Sequence, residues 1–390
     1  MESTLRRTWA EINLDALTYN YQQIKAHIGP DVKFIGVVKA DAYGHGSVTV
    51  AKHLQDLGVE YLAVSSIDEA IELRVNSITM PILILGHTPK EQVDRLICFN
   101  ITQAVTCEAK ALEYSEEAVK YGGRLKIHLK VDTGMSRLGY LCDGDHFKTG
   151  VEGIVNAAQL QGLEAEGIFT HFSMADEEDE RAQDYTIDQF NLFMDLVTAV
   201  QERLGWAFPL KHCANTGATV SYPQTHLDMV RPGLLLYGYG SHAKAWGLQP
   251  VMAVKTTVST VKTYSAGTLI SYGGTYQTQG DYTRVGVLPY GYADGFSRNL
   301  SNRYELMSVQ GPVPVLGQIC MDMCMVDLTD KLAVDVGSEI EIFGPLNPIE
   351  RMAELAGTIP YELTCSVSKR VPRIYLEQGQ VQHRELLLRM

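Results

Sequence analysis

The chain is 390 residues long and carries 33 lysines and arginines against 46 aspartates and glutamates, a formal net charge of −13. That balance argues against nucleic acid or an anionic membrane as partner; no apolar run approaches the length that spans a bilayer, and no apolar stretch of a signal peptide follows Arg6 and Arg7. Seven cysteines, odd in number and scattered over a long chain, fit reduced thiols in a cytoplasmic protein better than a disulfide framework.

A chain of this length is expected to hold two or three domains. Short apolar runs at residues 34–38, 61–64, 82–85, 101–105, 125–131, 165–169, 210–213 and 229–236 read as strands. Between them lie helix-like segments at 47–57, 66–74, 91–98, 108–121, 150–160 and 182–204, and a shorter one from Thr216. Eight strands joined by helices predict a parallel (β/α)8 TIM-type barrel, assigned to residues 12–240, because parallel neighbours need crossover connections. A doubly wound open sheet gives the same alternation, but no Gly-x-Gly-x-x-Gly follows the first strand.

Beyond Ser241 the texture changes to β-branched runs broken by Gly, Pro and Asn, at 254–264, 283–289, 307–311, 313–319, 323–328 and 339–343, with one helix at 349–356. This pattern predicts a second, mainly antiparallel β domain over 241–390, with residues 1–11 packing against it and a linker at 242–247. Cys320 and Cys324 have no second Cys/His pair nearby, so no metal site is expected.

Lys39 stands at the end of the first strand, where a lysine is costly unless it is paired or neutralised. Tyr43-Gly44-His45-Gly46 follow, with glycines that let backbone approach a ligand closely. Alone, this is a lysine leaving a strand for solvent. The whole run Val37-Val-Lys-Ala-Asp-Ala-Tyr-Gly-His-Gly46, however, closely resembles the pyridoxal-phosphate attachment motif of the alanine racemases. The resemblance implies that Lys39 carries the cofactor, pyridoxal 5′-phosphate, as a Schiff base.

The later motifs extend that resemblance from Trp9 to Tyr375. Lys130-Val-Asp-Thr-Gly-Met-Ser-Arg137 would otherwise be a solvated loop; in the family, Arg137 matches a ligand of the substrate carboxylate and Lys130 a lysine often carbamylated. Ser136 departs from a common glycine. His171, ordinarily a hydrogen-bonder in a polar turn, matches a histidine in contact with the catalytic tyrosine. Asn215 and Thr216 open a helix, and helix starts present free N–H groups to phosphate; by resemblance they bind the cofactor, as do Gly233 and Leu234.

Arg231 interrupts an apolar run and needs a buried partner. The family directs the matching arginine at the cofactor's ring nitrogen; a guanidinium stays protonated and cannot fully protonate that nitrogen, which weakens the electron sink and suits racemisation over transamination. Racemisation needs a base on each face of Cα. Lys39 serves one, and the resemblance assigns the other to Tyr272, supplied by the partner subunit of a homodimer. Met321, Asp322 and Tyr292 match residues at the substrate end or entrance, and Tyr43 and Tyr361 match positions at the cofactor or entrance.

The reading is therefore an alanine racemase supplying D-alanine for peptidoglycan synthesis. A serine racemase or one of broader specificity is the nearest alternative, since an apolar pocket rejects one extra hydroxyl only weakly. A decarboxylase of this fold would place an acid where Arg231 stands. A non-catalytic cofactor-binding protein would have no use for Tyr272.

Overall fold

The computed structural model describes residues 7–386. They form two compact units: one holds the chain up to Asn20, Tyr43–Gly46 and everything from Tyr237, and the other holds Tyr21–Ala42 and Ser47–Leu236.

The second unit is the (β/α)8 barrel. Its strands are β1 (Lys33–Val37), β2 (Tyr61–Val64), β3 (Ile82–Ile84), β4 (Thr102–Val105), β5 (Leu125–Asp132), β6 (Leu163–Phe169), β7 (Leu210–His212) and β8 (Met229–Val230). Each pairs in parallel with the next from β1 to β7, and β8 pairs with β1. The ring closes through Asp228 N–H to the Lys211 carbonyl (3.1 Å) and Arg231 N–H to the Ala214 carbonyl (3.0 Å). Helices between the strands bury one face each, and Gly36 in β1 is small because a methyl there would meet Leu54 of helix Ser47–Asp56 at 2.8 Å. The long helix Glu180–Leu204 starts on Asp179, whose carboxylate accepts Ala182 N–H, and ends on left-handed Gly205.

One expectation fails here. Residues 229–236 are not one strand: β8 stops at Val230, and Gly233–Leu236 is a helical turn. Pro232 has no N–H for the ladder and favours a helix start, so the apolar run changes conformation midway.

The other unit is mainly β. Its largest sheet runs Gly311–Pro314, Glu305–Ser308, Glu339–Phe343, Met252–Thr257, Thr8–Asn13, Arg373–Glu377, Gln380–Glu385. The N-terminal strand lies in the middle of it, antiparallel to Met252–Thr257 and parallel to Arg373–Glu377. A three-stranded antiparallel sheet joins Thr260–Ser265, Tyr282–Leu288 and Cys324–Asp327. The run at 254–264 is thus two strands in two sheets, divided at Val258 and Ser259. Helices Ile349–Ala356 and Pro360–Ser366 complete the unit.

Candidate active site

In a parallel barrel all strand ends of one kind lie at one mouth, so residues just past β1, β5, β6, β7 and β8 converge by topology. Lys39 follows β1, Lys130 lies near the end of β5, and Arg137, His171, Asn215, Thr216, Arg231, Gly233 and Leu234 follow their strands at the same end.

Lys39 opens a turn, Lys39–Gly44, that is helical but left-handed: Ala40, Asp41, Ala42 and Tyr43 have φ of 52°, 56°, 52° and 53°. Such a conformation costs roughly 1–2 kcal/mol for each residue bearing a Cβ, and strain of this kind concentrates at functional sites. Within the barrel unit, Ala40 N–H donates to Glu69 Oε1 (2.7 Å), and Asp41 Oδ1 accepts Ser47 N–H (2.8 Å).

Lys130 is buried, and burial, reinforced by the Arg137, Arg231 and Lys39 cations against the opposing pull of Asp132, brings its ammonium pKa down to about 8. Asp132 shapes the following loop by accepting N–H groups from Gly134, Ser136 and Arg137. Ser136 there has φ of 55°, a conformation that glycine adopts without strain and that a residue with a Cβ adopts at a cost.

Arg231 is the hub of the barrel interior. It is 4 % exposed, and its Nη2 donates to the carbonyls of Thr170 (2.8 Å) and Cys213 (3.1 Å) and to His171 Nδ1 (3.3 Å). Burial lowers its pKa to about 10, so it remains a cation at neutral pH. Its Nη1 donates to His212 Nδ1 (2.6 Å), and His212 Nε2 faces His128 Nδ1 at 2.8 Å. His128 Nε2 in turn faces Glu166 Oε1 at 3.4 Å, which also accepts the hydroxyls of Tyr61 (2.7 Å) and Thr102 (2.9 Å). With Arg231 as donor, both imidazoles carry their proton on Nε2, and the chain runs from a cation to an anion. Burial would push the Glu166 carboxyl up, but these hydrogen bonds outweigh it and hold the pKa at about 2.

His128, His212 and Glu166 were missed as site residues. The available signal was strand alternation: His128 lies two positions before Lys130 in β5 and so shares its face.

His171 and His212 lie well below, and His128 below, the ordinary histidine value of 6.5, with burial the first cause for each; the Arg231 cation comes next for His171 and His212. All three are therefore neutral at pH 7. The unfolded chain takes up these protons near pH 6.5 while the folded chain refuses them, so stability is full above that pH and falls below it. The slope is up to about 1.4 kcal/mol per pH unit for each histidine. Glu166 behaves as a depressed carboxylate, and its share is lost only between 4.5 and about 2. Denaturant titrations at pH 8.5, 7.5, 6.5 and 5.5 are expected to show midpoints that nearly agree at the first two, begin to fall at pH 6.5 and drop further at 5.5; a flat series to pH 5 would contradict the buried neutral histidines.

Asn215 caps helix Thr216–Ser221, accepting Ala218 N–H (3.1 Å) and donating to the Phe172 carbonyl (3.3 Å). Thr216 begins that helix, and Gly233 and Leu234 begin the turn after Pro232.

The remaining candidates assemble within the β-rich unit. Tyr43 is buried against Tyr361 and Tyr237, with ring centroids at 5.5 Å and 5.2 Å, and burial together with Tyr361 raises its phenol pKa. Tyr272 is 73 % exposed on a turn with Gly273 and Gly274. It borders a cavity of about 410 Å³ lined also by Leu269, Cys320 and Met323. The Tyr292 loop is bonded to the Met321 loop through Tyr292 N–H to the Cys320 carbonyl (3.0 Å) and Ala293 N–H to the Met321 carbonyl (3.0 Å). Asp322 Oδ1 accepts Arg370 Nη2 (2.8 Å), and Arg370 also faces buried Asp294 at 3.5 Å. Among the described residues no group of three His, Cys, Asp or Glu side chains is arranged to hold a metal ion.

The profile of the alanine racemase N-terminal domain matches residues 12–241, and that of the C-terminal domain matches 251–375. Alanine racemase 2 of Caldanaerobacter subterraneus subsp. tengcongensis is 42% identical over 388 residues, 98% of each chain. The alanine racemase of Methanococcus maripaludis is 44% identical over 377 residues, 94% of this chain and 98% of that one. Among solved structures, alanine racemase of Clostridium difficile 630 superposes with a TM-score of 0.93 at 38% identity, covering 99% of this chain and 100% of that one. The Bacillus anthracis alanine racemase with bound L-Ala-P gives 0.89 at 32% identity, covering 98% of each.

Proposed function

The chain belongs to the alanine racemase family, and on that premise we propose that it interconverts L- and D-alanine with pyridoxal 5′-phosphate, using Lys39 and Tyr272 as the two bases. The observation that carries this reading is Arg231: a buried, protonated guanidinium with fixed donors is the group that lets a ring nitrogen be hydrogen-bonded without being fully protonated.

The donor set of the barrel mouth fits the cofactor. Lys39 would offer an amine to its aldehyde, and Asn215, Thr216 and the peptide N–H of Leu234 would offer donors to its phosphate, with Gly233, whose own N–H donates to the Arg231 carbonyl (2.9 Å), Tyr43 and Tyr361 assigned to the same group. When bound, pyridoxal phosphate withdraws electron density and makes the Cα proton acidic. The chain's own residues do the rest. Lys39 Nζ holds or releases a proton on one face of Cα, and Tyr272 Oη does so on the other, each acting as base in one direction and acid in the reverse. His171, bonded to Arg231, is the group proposed to tune Tyr272. Arg137 takes the substrate carboxylate with its planar fork, while Met321, Asp322 and Tyr292 restrict the pocket. A pKa of about 8 leaves a fraction of Lys130 unprotonated near neutrality, the form that carbamylation requires.

Tyr272 is proposed to act in the partner's site of a homodimer, for which its exposure on an apolar face with Leu269 and Met323 is the support. Mixing Lys39→Ala chains with Tyr272→Phe chains is expected to restore activity that neither has alone; no recovery after verified subunit exchange would contradict shared sites. A biosynthetic role in the cytoplasm, feeding peptidoglycan, completes the proposal; no described helix is long and apolar enough to cross a membrane. Chiral analysis after incubation with the cofactor and either L-alanine or L-serine tests the substrate, with D-alanine the dominant product expected. Faster formation of D-serine would favour the serine alternative.

A further inference from the structure

We infer that Glu69 is a positioning residue for Lys39, an inference that rests on Lys39 being the attachment lysine proposed above. Glu69 lies in the first turn of helix Ile67–Val75 and completes a capping box with Ser66: Ser66 Oγ accepts Glu69 N–H, and Glu69 Oε2 accepts Ser66 N–H, both at 3.3 Å. A capping glutamate need do no more than that. This one also accepts Ser65 N–H at 2.6 Å, and its other oxygen, Oε1, accepts Ala40 N–H at 2.7 Å. Two of its three backbone donors, Ser65 and Ser66, come from the link between β2 and the helix, and the third comes from the chain leaving β1.

The Ala40 N–H belongs to the peptide that Lys39's own carbonyl closes, so this bond fixes Lys39 ψ. On the other side, Val38 N–H donates to the Ala63 carbonyl in β2 at 2.9 Å. Lys39 is thereby pinned before its Cα to β2 and after it to the helix that follows β2. That matters because the residues after it are left-handed, a conformation that Ala40, Asp41 and Ala42 do not favour. A charge-assisted bond to the first of them is well placed to hold the turn. Without it the turn can relax toward ordinary φ values, and the lysine side chain leaves in a different direction.

The closing experiment compares Glu69→Ala, Glu69→Gln and Ser66→Ala with the parent enzyme. Each is incubated with pyridoxal phosphate and reduced with borohydride, and the rate of label incorporation at each lysine is read by peptide mass spectrometry, alongside kcat, KM and Tm. Ser66→Ala removes half of the capping box and leaves the Ala40 bond, so it is expected to lower Tm while labelling at Lys39 keeps the parent rate. Glu69→Ala is expected to slow labelling at Lys39 and lower kcat by about 10- to 100-fold, with KM changed less. Glu69→Gln, which keeps an oxygen acceptor, is expected to fall between, and it carries the test if the alanine variant does not fold. Parent-like labelling and kcat in both Glu69 variants, with Tm lowered as in Ser66→Ala, would reduce Glu69 to a helix cap and overturn the inference. Label at a lysine other than Lys39 in the parent enzyme would instead overturn the assignment of Lys39, and this inference with it.

Discussion

Lys39→Ala is expected to lower racemisation in both directions by at least about 10³-fold, because one substitution removes both the cofactor's point of attachment and the proton carrier on one face. Fold and stability should survive. Lys39 is half-buried at the mouth of the barrel, and removing an ammonium from a site already crowded by Lys130, Arg137 and Arg231 relieves repulsion. The measurement is a chiral assay run beside gel filtration of the cofactor-loaded protein. The variant should lose the cofactor on the column where the parent retains it. Retention together with more than a tenth of parent activity would show that another group does both jobs.

Tyr272→Phe isolates the other face. Its expected loss in racemisation is about 10²–10⁴-fold, the usual contribution of a positioned acid or base. Since Tyr272 is 73 % exposed, loss of the hydroxyl should change stability by less than about 0.5 kcal/mol. The informative readout is asymmetric: with Lys39 intact, one enantiomer of alanine should still exchange its Cα proton with solvent while the other does not. Equal slowing of exchange for both enantiomers would mean that Tyr272 orders the site rather than carrying a proton.

The barrel was legible in the sequence because a parallel strand buried on both faces reads as a continuous apolar run, and the eight runs were separated by segments long enough for crossover helices. Residues 108–121 and 349–356 match helices Glu108–Tyr121 and Ile349–Ala356. Reading failed where local chemistry competes with pattern. Helix Leu14–Ile28 was not anticipated: it starts directly off strand Thr8–Asn13, with Asn13 accepting Ala16 N–H at the junction, so no turn residues announce it. The terminal pair Arg373–Glu377 and Gln380–Glu385 was missed for the opposite reason, since the last of these is charged and exposed and shows no buried face.

In the site, single residues were readable and their partners were not. Lys39 stood out at a strand end beside glycines, but nothing in Ala40-Asp-Ala-Tyr43 signals a left-handed turn, because that conformation is imposed from outside, in part by Glu69. The expectation that Arg231 needs a buried partner was sound. The nearest carboxylate in its chain, Glu166, is two imidazoles away, a linkage that sequence spacing cannot reveal.

Two-base racemisation is tested most directly by following the Cα proton of L-alanine by NMR in deuterated water, with cofactor-loaded enzyme and chiral analysis of the same sample. The Cα proton signal is expected to disappear while D-alanine accumulates toward an equal mixture, with deuterium at Cα in the D-alanine formed. Exchange without D-alanine would contradict two-base racemisation, because a proton would then be leaving and returning on one face only.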